Sequence, residues 1–369
     1  MATHFTLVLT TIRYPAVLLD YAKNAARFNH EDVRFIVIGD RKTPASVHKI
    51  SAQLEDLGYE ALYYDVREQK HIINRFPSLD EIVPYDSDCR RNLGYLIAAE
   101  KGTDIIISID DDNFPMDDYF RLHEIVTRYH TFPAAVSENS WFNPCSLLQV
   151  QPSWWIYSRG FPYSRRWTDS SKIENRTEKG RVVLNLGLWL GSPDVDAVTN
   201  LAQPTKVVRI KHNQVMLARN TFTPINTQNT AIALDLLPCF YYVPMGAMIN
   251  GVTLDRYGDI WTGIFANKII NHMGDRICIG RPLTDHQRNV HDLFRDLMCE
   301  MWGMILTDYL ANLIVDCDIS SKNYADAYLE LASELAKRTS NHENADVRKY
   351  FRRLSKAMYS WVKVCQAIL

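Results

Sequence analysis

The sequence predicts an α/β fold: a doubly wound mixed sheet flanked by helices, with a C-terminal helical appendage. Three observations predict it. Short apolar strands alternate with helical spacing from Phe5 onward, as a doubly wound sheet requires. The most apolar of these runs, Ile105-Ile106-Ile107-Ser108-Ile109, stops on the three carboxylates Asp110-Asp111-Asp112. From about His291 the pattern becomes continuous 3.6-residue periodicity. The chain is therefore divided into a catalytic-type domain over 1–290 and a helical region over 291–369.

In chain order, Phe5 to Ile12 reads as the first strand, broken by Tyr14-Pro15. Leu18, Leu19, Tyr21, Ala22, Ala25 and Ala26 then hold helical spacing. Val33 to Ile38 is a second strand ending at Gly39-Asp40, followed by a helix over Ser46 to Leu57 and a strand over Ala61 to Tyr64. Asp86 or Ser87 can cap a helix reaching Glu100, with Arg90 and Arg91 in its first turn. Cations there oppose the helix dipole, which makes sense if they face an anion. The run ending at Ile109 suits a central strand, followed by the loop formers Asn113, Phe114 and Pro115. Val182 to Leu190 is strand-like, Asn226 to Tyr242 holds a second apolar run, and Thr262 to Met273 is helical. In the last region, Leu293, Leu297, Met301, Ile305, then Tyr328, Leu331, Leu335, then Phe351, Leu354, Met358 and Trp361 imply three or more structural helices.

Composition narrows the function. With 41 Lys plus Arg against 43 Asp plus Glu, the net charge of −2 offers no general affinity for nucleic acid or a membrane surface. No window approaches the ~18 apolar residues of a membrane span. Seven scattered cysteines without paired metal spacing read as reduced thiols of a cytoplasmic protein. The opening Met1-Ala2-Thr3-His4 lacks a basic n-region, so a secretory leader is not expected. A homo-oligomer is left open.

The chemistry gathers at strand ends. In isolation Asp-Asp-Asp is more often a solvated acidic turn. Beyond the end of the most apolar strand of an open sheet, three aspartates repel one another unless a cation sits among them. Carboxylate oxygens suit Mn²⁺ or Mg²⁺. Asp110 and Asp112 are the expected ligands, with His286 as third, and Asp111 adds to the nucleotide site. Asp40 can accept from a base or ribose, with Thr11 and Arg13 nearby, and Arg90 and Arg91 face an anion. The stretch Ser158-Arg159-Gly160-Phe161-Pro162-Tyr163-Ser164-Arg165-Arg166 is a poor helix and a poor strand, but a good anion-binding loop. Neither GxGxxG nor a P-loop follows the first strand, which argues against a dinucleotide site or a Walker ATPase. Together these features describe a nucleotide diphosphate held by a divalent metal, as in a GT-A glycosyltransferase, with metal and arginines taking up the charge of the departing diphosphate.

At this point the sequence resembles a known family, the reversibly glycosylated polypeptides, which include the UDP-arabinopyranose mutases. Thr10-Thr11-Ile12-Arg13 resembles the family's Pro-Thr-Ile-Arg, and Ile38-Gly39-Asp40 falls where its nucleobase-facing Asp lies. Cys89-Arg90-Arg91-Asn92-Leu93-Gly94 resembles its Cys-Arg-x-x-Gly, and Ile109-Asp110-Asp111-Asp112-Asn113 its Ile-Asp-Asp-Asp-Cys. Arg159-Gly160-Phe161-Pro162-Tyr163-Ser164-Arg165-Arg166 is similar to Arg-Gly-Tyr-Pro-Phe-Ser-Leu-Arg, the most specific of these matches. Gly187-Leu188-Trp189-Leu190 with Pro193-Asp194, and Arg256-Tyr257-Gly258-Asp259-Ile260-Trp261, resemble two further motifs. Asn113 replaces a family Cys, Gly258 replaces an Asp, and Asp285-His286 matches only at the His. The resemblance implies that Arg159 carries the sugar, with Asp194 or Asp259 assisting and Arg166 clamping the diphosphate. The expected function is thus a metal-dependent UDP-sugar pyranose/furanose mutase with reversible self-glycosylation. The alternatives are a GT-A transferase that passes the sugar to an acceptor, or a non-catalytic nucleotide-sugar-binding subunit. A nucleotidyltransferase would normally bring a glycine-rich phosphate loop, which the sequence lacks.

Overall fold

The computed structural model describes residues 3–369, so Met1 and Ala2 of the opening stretch lie outside the described residues. Strands Phe5–Thr10, Val33–Ile38, Glu60–Tyr64 and Ile105–Ile109 run parallel, in the spatial order third, second, first, fourth. Their apolar runs need no alternation because helices cover them, and all five residues of Ile105–Ile109 are buried. Strand order reverses between Phe5–Thr10 and Ile105–Ile109, with Val33–Ile38 on the other side of Phe5–Thr10. Such a reversal opens a crevice beyond the carboxyl ends of the two strands that flank it. Thr10 and Asp110 stand at those two ends.

The helix Arg91–Glu100 lies tightly against this part of the sheet. Gly94 permits the approach: a Cβ there would sit 2.4 Å from Cγ1 of Val8. Beyond Ile105–Ile109 the sheet turns antiparallel through Asn229–Ala233 and Lys172–Gly191, and twelve strands join it in all. The expectation of a doubly wound mixed sheet with flanking and C-terminal helices holds.

Several strands differ from the sequence reading, and two of them bear on the site. Lys172–Gly191 extends 20 residues, starting well before Val182. Its first half is a charged ribbon paired with Tyr129–Val136, and carries no apolar pattern to read. Arg276–His286 is an 11-residue strand where no strand was expected. Gly280 and Pro282 interrupt it, and the register slips between Gly280 and Thr284. Past that irregularity it pairs His286 with Asn113, which brings the histidine beside the aspartates.

Three helices close the chain: Leu293–Val315, Tyr324–Thr339 and Ala345–Ile368. Asp292, Asn323 and Asn344 cap them, each side chain accepting from backbone N–H groups of the first turn. They share one apolar core with the sheet. Trp361 packs its ring 5.4 Å from that of Tyr241 and donates to the Leu237 carbonyl at 3.2 Å. Trp261 stacks on Phe351 at 5.8 Å. Among the described residues no helix is long and apolar enough to cross a membrane. All seven cysteines are free, and six are buried.

Candidate active site

A cleft of about 370 Å³ opens at the strand-order reversal, within the size range of small-molecule sites. Its near rim is the loop after the first strand. Thr11 Oγ1 donates to Asp111 Oδ2 at 2.7 Å, and Thr43 Oγ1 donates to the Thr11 carbonyl at 2.7 Å. Asp40 is fixed by backbone donors, Arg41 N–H at 2.7 Å and Ser87 N–H at 3.2 Å. Arg13 lines the rim and is exposed.

The three aspartates point to three partners. Asp110 Oδ1 accepts from Arg91 Nη2 at 2.6 Å. Burial raises its pKa to about 6 against the attraction of Arg91, and the charge of Asp112 adds to the rise. Asp111 faces Thr11. Asp112 Oδ2 lies 3.6 Å from Nε2 of His286 and accepts from the Asn289 amide side chain at 3.0 Å. Burial would raise the Asp112 pKa, but the bond and charge of His286 bring it below the usual carboxylate value. The His286 pKa is raised in turn, against its burial, by the same contact. Nδ1 of His286 lies 2.7 Å from the Ser192 carbonyl and so carries a proton; Nε2 faces Asp112 with a second proton when the ring is charged, and can donate to a metal only in the neutral ring.

Among the described residues no three His, Cys, Asp or Glu side chains form a ready metal cluster. Two donors do converge, Asp112 Oδ2 and His286 Nε2; Asp110 gives Oδ1 to Arg91 and keeps Oδ2. A hard octahedral ion that takes one or two protein ligands and completes its shell with phosphate oxygens and water fits this donor set.

Arg159 forms the far wall. Gly160 makes its placement possible: with φ of +83° it turns the chain where a Cβ would meet Ile260 at 2.2 Å. Nε and Nη2 of Arg159 donate to Asp194 at 2.8 and 3.3 Å, and Nη1 and Nη2 donate to Asp259 at 3.2 and 2.9 Å. Nη1 also donates to the Arg256 carbonyl. All five guanidinium N–H groups are thereby engaged. Despite burial, the two carboxylates hold the Arg159 pKa well above its ordinary value. Asp194 is kept low against its burial, by Arg159 and by the Asn226 amide at 2.8 Å.

A family model described as reversibly glycosylated polypeptide matches residues 31–368 of this sequence. The chain belongs to that family. A Pisum sativum relative named "Probable UDP-arabinopyranose mutase 1" is 27% identical over 372 residues, covering 98% of this chain and 90% of that one. The Arabidopsis thaliana protein named "UDP-arabinopyranose mutase 2" is 25% identical over 311 residues, covering 83% and 79%. Among solved structures, S. aureus TarS 1–349 in complex with UDP-GlcNAc matches at a TM-score of 0.40 and 9% identity, over 100% of this chain and 84% of that one. That likeness is too loose to speak for the site.

In this member of the family the cleft gathers Thr11, Arg13, Asp40, Arg90, Arg91, Asp110, Asp111, Asp112, Arg159, Asp194, Asp259 and His286. Arg90 is the least available of them. Its Nε donates to the Gln69 side chain at 2.8 Å and its Nη1 to the Val83 carbonyl at 3.2 Å. Arg91 also donates through Nε to Thr10 and through Nη1 to Ser108 and Thr227. Arg166 does not line the cleft. A short helical turn over Tyr163–Arg166 sends it to Asp196 at 2.6 Å, with its guanidinium 3.7 Å from the Tyr163 ring centroid. The sequence reading missed Asp88, Gln228, Arg256, Arg288, Asn289 and His291, all of which line the cleft. Arg256 lies inside a motif already quoted for Asp259, and Arg288 stands two residues beyond His286. Proximity to those residues was the one signal available.

Proposed function

We propose that this protein binds a UDP-sugar across the carboxyl ends of the parallel strands and interconverts pyranose and furanose forms of the sugar. The observation that carries the reading is the convergence of Asp40, Asp110–Asp112, Arg159 and Asp259, residues far apart in sequence, on one cleft of a chain whose relatives are named UDP-arabinopyranose mutases. Thr11, Asp40 and the adjacent backbone hold the nucleoside. Asp112 and His286, joined by Asp110, would hold Mn²⁺ or Mg²⁺, which supplies a Lewis acid for the diphosphate. The bond from the anomeric carbon to the β-phosphate oxygen breaks and its electron pair stays with the diphosphate, while a deprotonated nitrogen of Arg159 bonds the anomeric carbon. The ring oxygen then leaves that carbon and takes up a proton as the iminium forms. A different sugar hydroxyl closes on the carbon and gives up its proton, and the diphosphate displaces the nitrogen, which recovers its own.

Self-glycosylation at Arg159 requires one guanidinium nitrogen to leave its carboxylate partner and lose a proton, with Asp194 or Asp259 as the nearby base. The full use of the Arg159 donors favours a second reading, in which Arg159 stays a fixed cation and the sugar passes to an acceptor. Incubation with a panel of UDP-pentoses and UDP-hexoses plus Mn²⁺, without acceptor, separates the two. Isomerised nucleotide sugar on chromatography supports the mutase; label on the Arg159 peptide by mass spectrometry supports the covalent route. Turnover only when an acceptor is added supports transfer. Tight UDP-sugar binding with no turnover at all would leave a non-catalytic binding subunit.

A further inference from the structure

We propose that the diphosphate is gripped by Arg256 and Arg288, and that the first C-terminal helix braces this pair through Asp296 and Glu300. The naming of the ligand rests on the nucleotide-sugar reading; the subsite itself rests on counting donors. Among the arginines that the sequence points to, Arg13 is exposed on the rim with no side-chain partner among the described residues, and those deeper in the site are already engaged. Arg159 has every N–H engaged, Arg90 is tied to Gln69 and Val83, and Arg91 holds Asp110. Arg166 lies outside the cleft on Asp196.

Arg256 and Arg288 differ in this respect. Arg256 donates through Nε to Glu300 Oε1 at 2.9 Å, and its Nη1 reaches Asp296 Oδ1 only as an ion pair at 3.5 Å. Arg288 makes a single contact, Nη2 to Asp296 Oδ2 at 3.2 Å. Each guanidinium keeps N–H groups without a protein partner, and both line the cleft. A forked cation with open donors, partly screened from water, is the side chain that best matches phosphate oxygens.

Both are also held in place, which a gripping site needs. Glu300 is buried, and its second oxygen accepts from the Ala197 N–H at 2.7 Å, so it cannot follow Arg256 outward. The segment carrying Arg288 is pinned on both sides to Asp112. Gln287 N–H donates to the Asp112 carbonyl at 3.0 Å, and Asn289 bonds the Asp112 carboxylate through backbone at 3.3 Å and side chain at 3.0 Å. Arg288 therefore stands next to the Asp112–His286 pair. Asp296 also meets His291 Nδ1 at 3.1 Å, so one carboxylate orients three cleft-lining groups. The C-terminal region is thus part of the cleft wall as well as of the core.

Calorimetry on the full chain tests this, using inorganic diphosphate, UMP and UDP, first in EDTA and then with Mn²⁺. Arg288→Gln is the primary variant because Arg288 makes only one protein contact. Losing a charge-assisted bond of about 1.5–3 kcal/mol should weaken inorganic diphosphate and UDP roughly 10- to 150-fold, with or without Mn²⁺. UMP should weaken much less. Glu300→Gln and Asp296→Asn, as positioning changes, should lower diphosphate affinity several-fold and leave UMP unchanged. Wild-type diphosphate affinity in Arg288→Gln, or equal losses for UMP and UDP, would overturn the subsite. Arg288-dependent binding of inorganic diphosphate with no added affinity for UDP would keep the subsite and reject the nucleotide-sugar reading.

Discussion

Replacing Arg159 by Met removes a cation from between two buried carboxylates, each about 6–7% exposed. Breaking a buried pair by deleting one partner costs about 3–5 kcal/mol. Here two acceptors lose their donor, so the upper half of that range is expected near pH 7. At about 2.1 cal/mol/K of unfolding entropy per residue, a chain of 369 residues should lose roughly 5–6.5 °C of melting temperature. The pH dependence should also change sign. In the wild type Asp194 is held below its unfolded pKa, so its contribution is present above that value and lost as pH falls through the folded one. Without Arg159 burial is left to act on Asp194, its folded pKa rises, and the stability tied to it falls as pH rises. Urea denaturation of wild type and Arg159→Met at pH 5 and pH 7.5 reads both effects. Adding Asp259→Asn to Arg159→Met should recover part of the loss, because a buried amide needs no counter-ion. A difference below about 1 kcal/mol, or parallel pH slopes, would refute the ionic-clamp account. Arg159→Lys, which keeps the charge but not the fork, should still bind UDP and lose isomerisation; full activity in it would end the case for Arg159 in the mutase.

Asp112→Asn should weaken Mn²⁺ binding at least tenfold by electron paramagnetic titration, since the change removes charge from one of the two donors that already converge; unchanged Mn²⁺ affinity would place the metal elsewhere. Asp40→Ala should reduce UDP affinity by about 1–3 kcal/mol in calorimetry and affect uridine and UDP alike, which distinguishes it from the Arg288 variant. His123 is buried between Asn185 and Asn229, and burial lowers its pKa to about 3. Its unfolded pKa is near 6.5, so the unfolded chain binds the proton first and stability falls as pH drops below about 6.5. Between pH 7 and pH 5 His123→Gln should lose about 2 kcal/mol less stability than wild type; equal losses would mean that His123 is protonated in the fold.

The parallel half of the sheet was legible because buried strands write themselves as apolar runs, and three of its four runs ended where the structure places a cleft residue: Thr11, Asp40, Asp110. The antiparallel half was not. Arg276–His286 is broken by Gly280 and Pro282, and Lys172–Gly191 opens with nine residues of mostly charged ribbon. Neither carries a period, and both depend on partners that only the tertiary fold supplies.

The same distinction runs through the site. A sequence shows which side chains bear charge, but not how much of their hydrogen-bonding capacity the fold consumes. Arg90 and Arg91 were read as facing an anion. One met a glutamine amide and a carbonyl, the other a carboxylate of the site itself. Arg166 shares a motif with Arg159, yet a single helical turn carries it to Asp196. Arg256 and Arg288 belong to no basic cluster, and each keeps open donors because the carboxylates that orient it lie on a helix read as purely structural. In a cleft where acids and bases are nearly matched, net charge does not locate the ligand. The proposed subsite rests instead on donors that are open and also held in place: Arg256 and Arg288, anchored by Asp296 and Glu300, would take the diphosphate between Asp112 and the first C-terminal helix and leave the Arg159 clamp to face the sugar.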